Sequence, residues 1–185
     1  MRENIEQIQI QHDLSQEYQQ DIERRAKRYL SVRPHKVIPF THFAAVSSEV
    51  PKLFRDGHFY GAIALTQAVS EALVRFMCER NSFGAAKDYE KNVATLLKRN
   101  LIDEGLKDKL LDLWNNRHDY HHLNSSIEQD RQKLESLALD KIKLLNEIES
   151  IVFAFTLRNG AIVPQQPKYW PDIEKGQMPV FLRCD

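Results

Sequence analysis

Apolar side chains recur three and four positions apart along most of this chain, which is the period of helices that bury one face. The stripe is cleanest between His58 and Arg80, where Ala62, Leu65, Ala68, Val69, Ala72, Leu73, Phe76 and Met77 share a side. A helix is predicted over Thr41 to Arg55, stopped by Asp56-Gly57. A short one follows over Asp88 to Arg99, with Tyr89, Val93, Leu96 and Leu97. The next runs from about Asp103, an N-cap with Glu104 in the first turn, to near Leu123. Asn124-Ser125-Ser126 breaks the pattern. A long closing helix from about Ile127 to Arg158 aligns Leu134, Leu137, Ala138, Leu145, Ile148, Val152 and Phe155, and Asn159-Gly160 ends it.

The two ends read differently. In the first 30 residues, rich in Gln, Glu and Arg, the positions Ile5, Ile8, Leu14, Tyr18, Ile22, Tyr29 and Leu30 give only a partial stripe, that of a helical arm. Pro34 and Pro39 interrupt it. Beyond Gly160 come Pro164, Pro167, Pro171 and Pro179, while Tyr169, Trp170 and Phe181 predict a tail that docks back on the body. The expectation is an all-α fold: an antiparallel bundle of four to five helices over residues 41–158. An arm and linker (1–40) precede it and a Pro-rich tail (159–185) follows.

Composition narrows the functions. The 185 residues are the size of one domain, and 26 basic side chains balance 26 acidic ones. A broad nucleic-acid coat needs clustered excess cations, so any contact with nucleic acid should be local. No apolar run approaches the roughly 20 residues of a membrane span, and the start MRENIEQIQIQ is too polar for a signal peptide. A cytoplasmic protein without membrane contact is expected. Cys78 and Cys184 form no metal-type pair, no glycine-rich nucleotide loop occurs, and Gly-x-Ser-x-Gly is absent. No metal or other cofactor is expected.

The chemistry concentrates in Leu110-Leu111-Asp112-Leu113-Trp114-Asn115-Asn116-Arg117-His118-Asp119-Tyr120-His121-His122, with His118, His121 and His122 inside five positions. On a continuous helix, Leu106, Leu110, Leu113 and Trp114 define an apolar face that Arg117 and His121 extend. An arginine there must meet a carboxylate, face a cleft or sit at an interface, because an unpaired buried charge is very costly. Glu71 or Asp112 would satisfy it structurally. His118 and His122, at i and i+4, are also spaced like a helical metal-ligand pair, though with no H-E-x-x-H and no third ligand nearby. Glu71 has its own simple role as an i,i+4 partner of Arg75, or it orients Arg117 or a histidine across the bundle.

The run Arg117-His118-Asp119-Tyr120-His121-His122 resembles the signature of HEPN domains, an arginine and a polar residue separated from a histidine by four to six positions. Phe54-Arg55-Asp56-Gly57-His58-Phe59-Tyr60-Gly61-Ala62-Ile63, leading into Gln67-Ala68-Val69-Ser70-Glu71-Ala72-Leu73, is similar to that family's helix hairpin. The resemblance covers residues 41–158 and implies a metal-independent endoribonuclease, often a toxin or phage-defence protein. It also implies a homodimer in which two Arg/His motifs meet across a two-fold axis, an antitoxin as a further partner, or a non-catalytic interaction or nucleotide-binding module. Motif spacing selects His122 as the working histidine, and helix geometry favours His121 as the neighbour of Arg117. Some family toxins carry a modifiable tyrosine two positions after the histidine; this chain has Asn124 there.

The residue types suit RNA cleavage. RNA supplies its own nucleophile in the 2′-OH. Histidine serves as base or acid near neutrality, and arginine grips phosphate oxygens while staying charged. Arg117, His122 and His121 are the candidate catalytic residues, supported by His118, Glu71 and Tyr120. Tyr120 or Trp114 is a candidate platform for a base.

Overall fold

The computed structural model describes residues 2–33, 35–172 and 178–183. Pro34 and Cys184 therefore lie outside the described residues. The fold is mainly helical. In chain order, its first elements are α1 (Arg2–Ser31), β1 (Val37–Pro39), α2 (Ala44–Ser47), α3 (Glu49–Arg55) and α4 (Phe59–Arg80). Then come α5 (Tyr89–Lys98), α6 (Glu104–Trp114), α7 (Arg117–His122), α8 (Arg131–Val152), β2 (Phe155–Arg158), β3 (Ala161–Pro164) and β4 (Val180–Leu182).

Helix α4 is the axis of the molecule. It packs against α3, α5, α6, α7 and α8, so it buries more than one stripe. Ile63, Thr66, Gln67, Ser70 and Val74 are enclosed along with Ala62, Val69, Leu73 and Met77. Side-chain caps set the starts of three surrounding helices: Asp88 accepts from the Lys91 amide, Asp103 from Leu106, and Asp130 from Gln132 and Lys133.

Three expectations are corrected here. The helix over Thr41–Arg55 is two pieces, α2 and α3, joined at Ser48. The closing helix begins at Arg131 and stops at Val152, and the segment beyond is a hairpin. Asn159 (φ 51°) and Gly160 (φ 79°) are its turn, not a helix C-cap; two successive positive φ values are what a two-residue hairpin loop requires. The fold is thus not purely α, since β1 also pairs antiparallel with β4, Ile38 opposite Phe181. That ladder holds the tail against the linker, and Tyr169 and Trp170 are each 1% exposed in the core. Past β4, Arg183 forms a buried ion pair with Glu149 of α8 (2.6 Å).

The base of α1 is fastened by Arg25 to Asp56 (2.7 Å) and Arg28 to Glu135 (2.8 Å). Among the described residues no helix is long and apolar enough to cross a membrane.

Candidate functional site

The expected helix from Asp103 to Leu123 does not run through. It ends at Trp114, turns at Asn115-Asn116, and restarts as the short α7. Asn116 adopts φ 61°, a left-handed conformation that asparagine tolerates better than most residues. The turn is held from both sides. Lys141 of α8 is buried and donates to the carbonyls of Asp112 (2.5 Å), Leu113 (3.1 Å) and Asn115 (3.2 Å). Gln67 of α4 donates to those of Leu113 (3.3 Å) and Asn115 (3.1 Å). Burial lowers the Lys141 ammonium from its ordinary pKa. Neither residue was among the expected functional groups. Their signal was present: Lys141 falls on the α8 stripe between Ala138 and Leu145, where an apolar side chain belongs.

The break re-aims the motif, so Arg117 and His121 do not extend the apolar face of α6. Helix α7 lies instead against α4. Its C-cap, Leu123, is left-handed (φ 52°), and Asp119 ties it to the following loop. Hydrogen bonds from Asn124, whose Nδ2 lies 3.0 Å away, and from Ser126 hold the Asp119 carboxyl below the usual range.

Arg117 lies between two neighbours. Its guanidinium sits over the Trp114 ring, 5.0 Å from the centroid, and 3.7 Å from Glu71 Oε2. Glu71 makes its shorter bond to Arg75 (2.5 Å), so the local pair and the cross-bundle pair coexist on one carboxylate. Asp112, the other expected partner, contributes its backbone carbonyl to Lys141. The Arg117 side chain keeps 32% exposure. It borders an open cleft of about 620 Å³, with Glu90, Trp114, Asn116 and His118 on the walls. Trp114 stacks face to face on Tyr89 (4.0 Å, 9°). The buried Tyr89 hydroxyl is fixed by Ser70 (2.7 Å) and the Leu110 carbonyl (3.1 Å), and burial raises its pKa.

The histidines divide into two kinds. His118 and His122 are exposed, with ring centroids 4.5 Å apart. His122 is not on the cleft wall but lies against His118, which is. His121 turns inward toward the Ala64 backbone. Burial, and then the Arg117 charge, lowers its pKa below the ordinary 6.5. His121 Nε2 and Arg117 Nε are buried without a protein partner among the described residues.

Tyr120 is corrected. It is 7% exposed, with its ring 6.3 Å from that of Tyr60. It anchors α7 in the core and offers no free face to a base. Among the described residues no group of three His, Cys, Asp or Glu side chains converges as metal ligands.

The chain matches no protein-family model, no curated protein and no solved structure. The geometry around Arg117 is therefore the basis for a functional reading.

Proposed function

We propose that this protein is a metal-independent endoribonuclease of HEPN type, with Arg117 on the scissile phosphate and His122 and His118 moving the protons. One observation carries the reading: Arg117 keeps a third of its side chain exposed at a cleft that His118 also lines, and the His122 ring lies 4.5 Å from His118. A fixed cation beside two accessible imidazoles is the minimal equipment for 2′-OH attack. One imidazole removes the hydroxyl proton, the other protonates the leaving 5′-oxygen, and the guanidinium stabilises the phosphorane. Each positioned proton-transfer group is worth roughly 10²–10⁴-fold. His121, neutral at pH 7 and packed beside Arg117, is better suited to holding that side chain than to donating a proton.

The HEPN-like bundle, the homodimer of facing motifs, an antitoxin partner and a cytoplasmic toxin or defence role belong to the same proposal. It is tested by incubating the purified protein with RNA in EDTA and examining the ends. A 2′,3′-cyclic phosphate product, lost in Arg117→Ala and in His122→Ala, is the expected result. Cleavage persisting in both variants would show that another site acts.

A second reading is favoured by the Arg117–Glu71 contact: a non-catalytic interaction or nucleotide-binding module in which that pair is structural. It expects no cleavage by the wild type and a clear loss of stability in Arg117→Ala.

A further inference from the structure

Residues 4–20 of α1 are exposed all the way round. A helix standing alone in water is marginal, yet this one carries Ile5, Ile8, Ile10, Leu14 and Tyr18 at 45% exposure or more. Ile10, Leu14, Tyr18, Ile22, Ala26 and Leu30 step four at a time and form one ridge winding slowly round the helix. The lower part of the ridge, with Tyr29, borders a groove of about 490 Å³ that Lys52 and Arg55 of α3 close on the far side. Charge is graded along the same axis. Residues 3–23 contain six acidic side chains and no Lys or Arg; residues 24–36 contain six Lys or Arg and no acid.

We propose that α1 pairs antiparallel with α1 of a second copy of this chain, about a two-fold axis near Tyr18. In that register Ile10 faces Ala26 and Leu14 faces Ile22, so the apolar upper ridge of each copy enters the groove at the other's base. Residues 24–33 of each copy, with five Lys or Arg and no acid, then lie along residues 3–12 of its partner, which carry Glu3 and Glu6 and no Lys or Arg. Arg25 and Arg28 are held by Asp56 and Glu135, which leaves the exposed Lys27, and Arg24 and Lys52 in exchange for their surface pairs with Asp21 and Glu49, to meet the partner's carboxylates. A parallel pair would set every acidic residue beside its own copy, whereas this register sets one acidic pair, Asp13 and Glu23, directly opposite each other. An anionic lipid surface is disfavoured by the same six carboxylates. The contact is self-complementary and closed; it does not rest on the nuclease reading, and it is an alternative to the facing-motif homodimer given with that reading.

The test is sedimentation of the full chain over a micromolar concentration series. Wild type is expected to be dimeric. Ile10→Glu with Leu14→Glu is expected to be monomeric and still folded, since both side chains project outward from the protomer, with a melting temperature that no longer depends on concentration as the wild type's does. For the register, Ile10→Cys and Ala26→Cys chains, both carrying Cys184→Ser, are mixed with a copper–phenanthroline oxidant. They are expected to cross-link to each other, with Ile10→Cys alone giving none. A monomeric wild type overturns the proposal. So does a dimer that survives Ile10→Glu with Leu14→Glu, as one formed through residues 117–122 would, or a cross-link in Ile10→Cys alone.

Discussion

The Lys141 ammonium reaches from the middle of α8 to the Asn115 carbonyl (3.2 Å), two residues ahead of Arg117. It spends its donors on the end of α6, where carbonyls have no partner within the helix, and so fixes where α7 begins. Replacing it with Met keeps the apolar stem and removes the cap. Lys141→Met is expected to lower stability by about 1–3 kcal/mol, the worth of hydrogen bonds from a charged donor, with Gln67 still serving the Leu113 and Asn115 carbonyls. Any cleavage should fall with it, through misplacement of Arg117. Denaturant unfolding measures the first effect and single-turnover assays in EDTA the second. Unchanged stability in Lys141→Met would mean that the α6–α7 turn holds itself.

Arg117 pairs with Glu71 at 3.7 Å, with 32% and 23% of the two side chains exposed. Partly hydrated pairs of this length are worth about 0–1 kcal/mol after screening. Arg117→Ala is therefore expected to melt within a few degrees of wild type and to lose cleavage by about 10²-fold or more, as removal of a transition-state cation does. Glu71→Gln should be mild in both respects, because Arg75 is exposed and rehydrates. A large melting shift in Arg117→Ala with no activity to lose would instead support the structural role of the pair.

Much of the helical content was legible because burial imposes a period. The stripes of α4, α5 and α8 are written in residues such as Leu73, Leu96 and Ile148, and Asp88 and Asp103 cap where their chemistry says they should, whereas Asp130 caps α8 beyond the expected start at Ile127. The breaks were harder to read. Asn115-Asn116 looks helical by its neighbours, and what ends the helix there is a lysine and a glutamine from two other helices. Asn159-Gly160 serves equally as a helix stop or a hairpin turn, and only the pairing of Phe155–Arg158 with Ala161–Pro164 decides. The Arg-to-His spacing pointed to the segment that forms α7. Which histidines share a side depended on the turn, and His118, beside both the cleft and His122, gained from it.

His121 and His35 are both held below the ordinary histidine pKa of 6.5, chiefly by burial. Between the folded and unfolded pKa values the unfolded chain binds the extra protons. Stability from these two residues is therefore full above about pH 6.5 and is lost as pH falls toward their folded values. Melting temperatures over pH 5–8 should decline on the acid side for wild type and flatten in part in His121→Asn and in His35→Asn. A His121→Asn curve parallel to wild type would remove His121 as a source.

Arg183 and Glu149 face each other with 1% and 0% side-chain exposure, and Ser47 and the His35 carbonyl accept from the same guanidinium. The pair joins the tail to α8, α2 and the linker ahead of β1, so it tests whether the tail belongs to the folded body. Arg183→Met strands a carboxylate in the core, and removing one partner of such a pair costs about 3–5 kcal/mol. Arg183→Met with Glu149→Leu removes both charges and should recover much of that loss, because isosteric apolar replacement of a buried pair is often close to neutral. Urea unfolding of the wild type and both variants separates the outcomes. If Arg183→Met alone costs less than about 1 kcal/mol, the range of exposed pairs, then water reaches Glu149 and the tail is not a fixed part of the core.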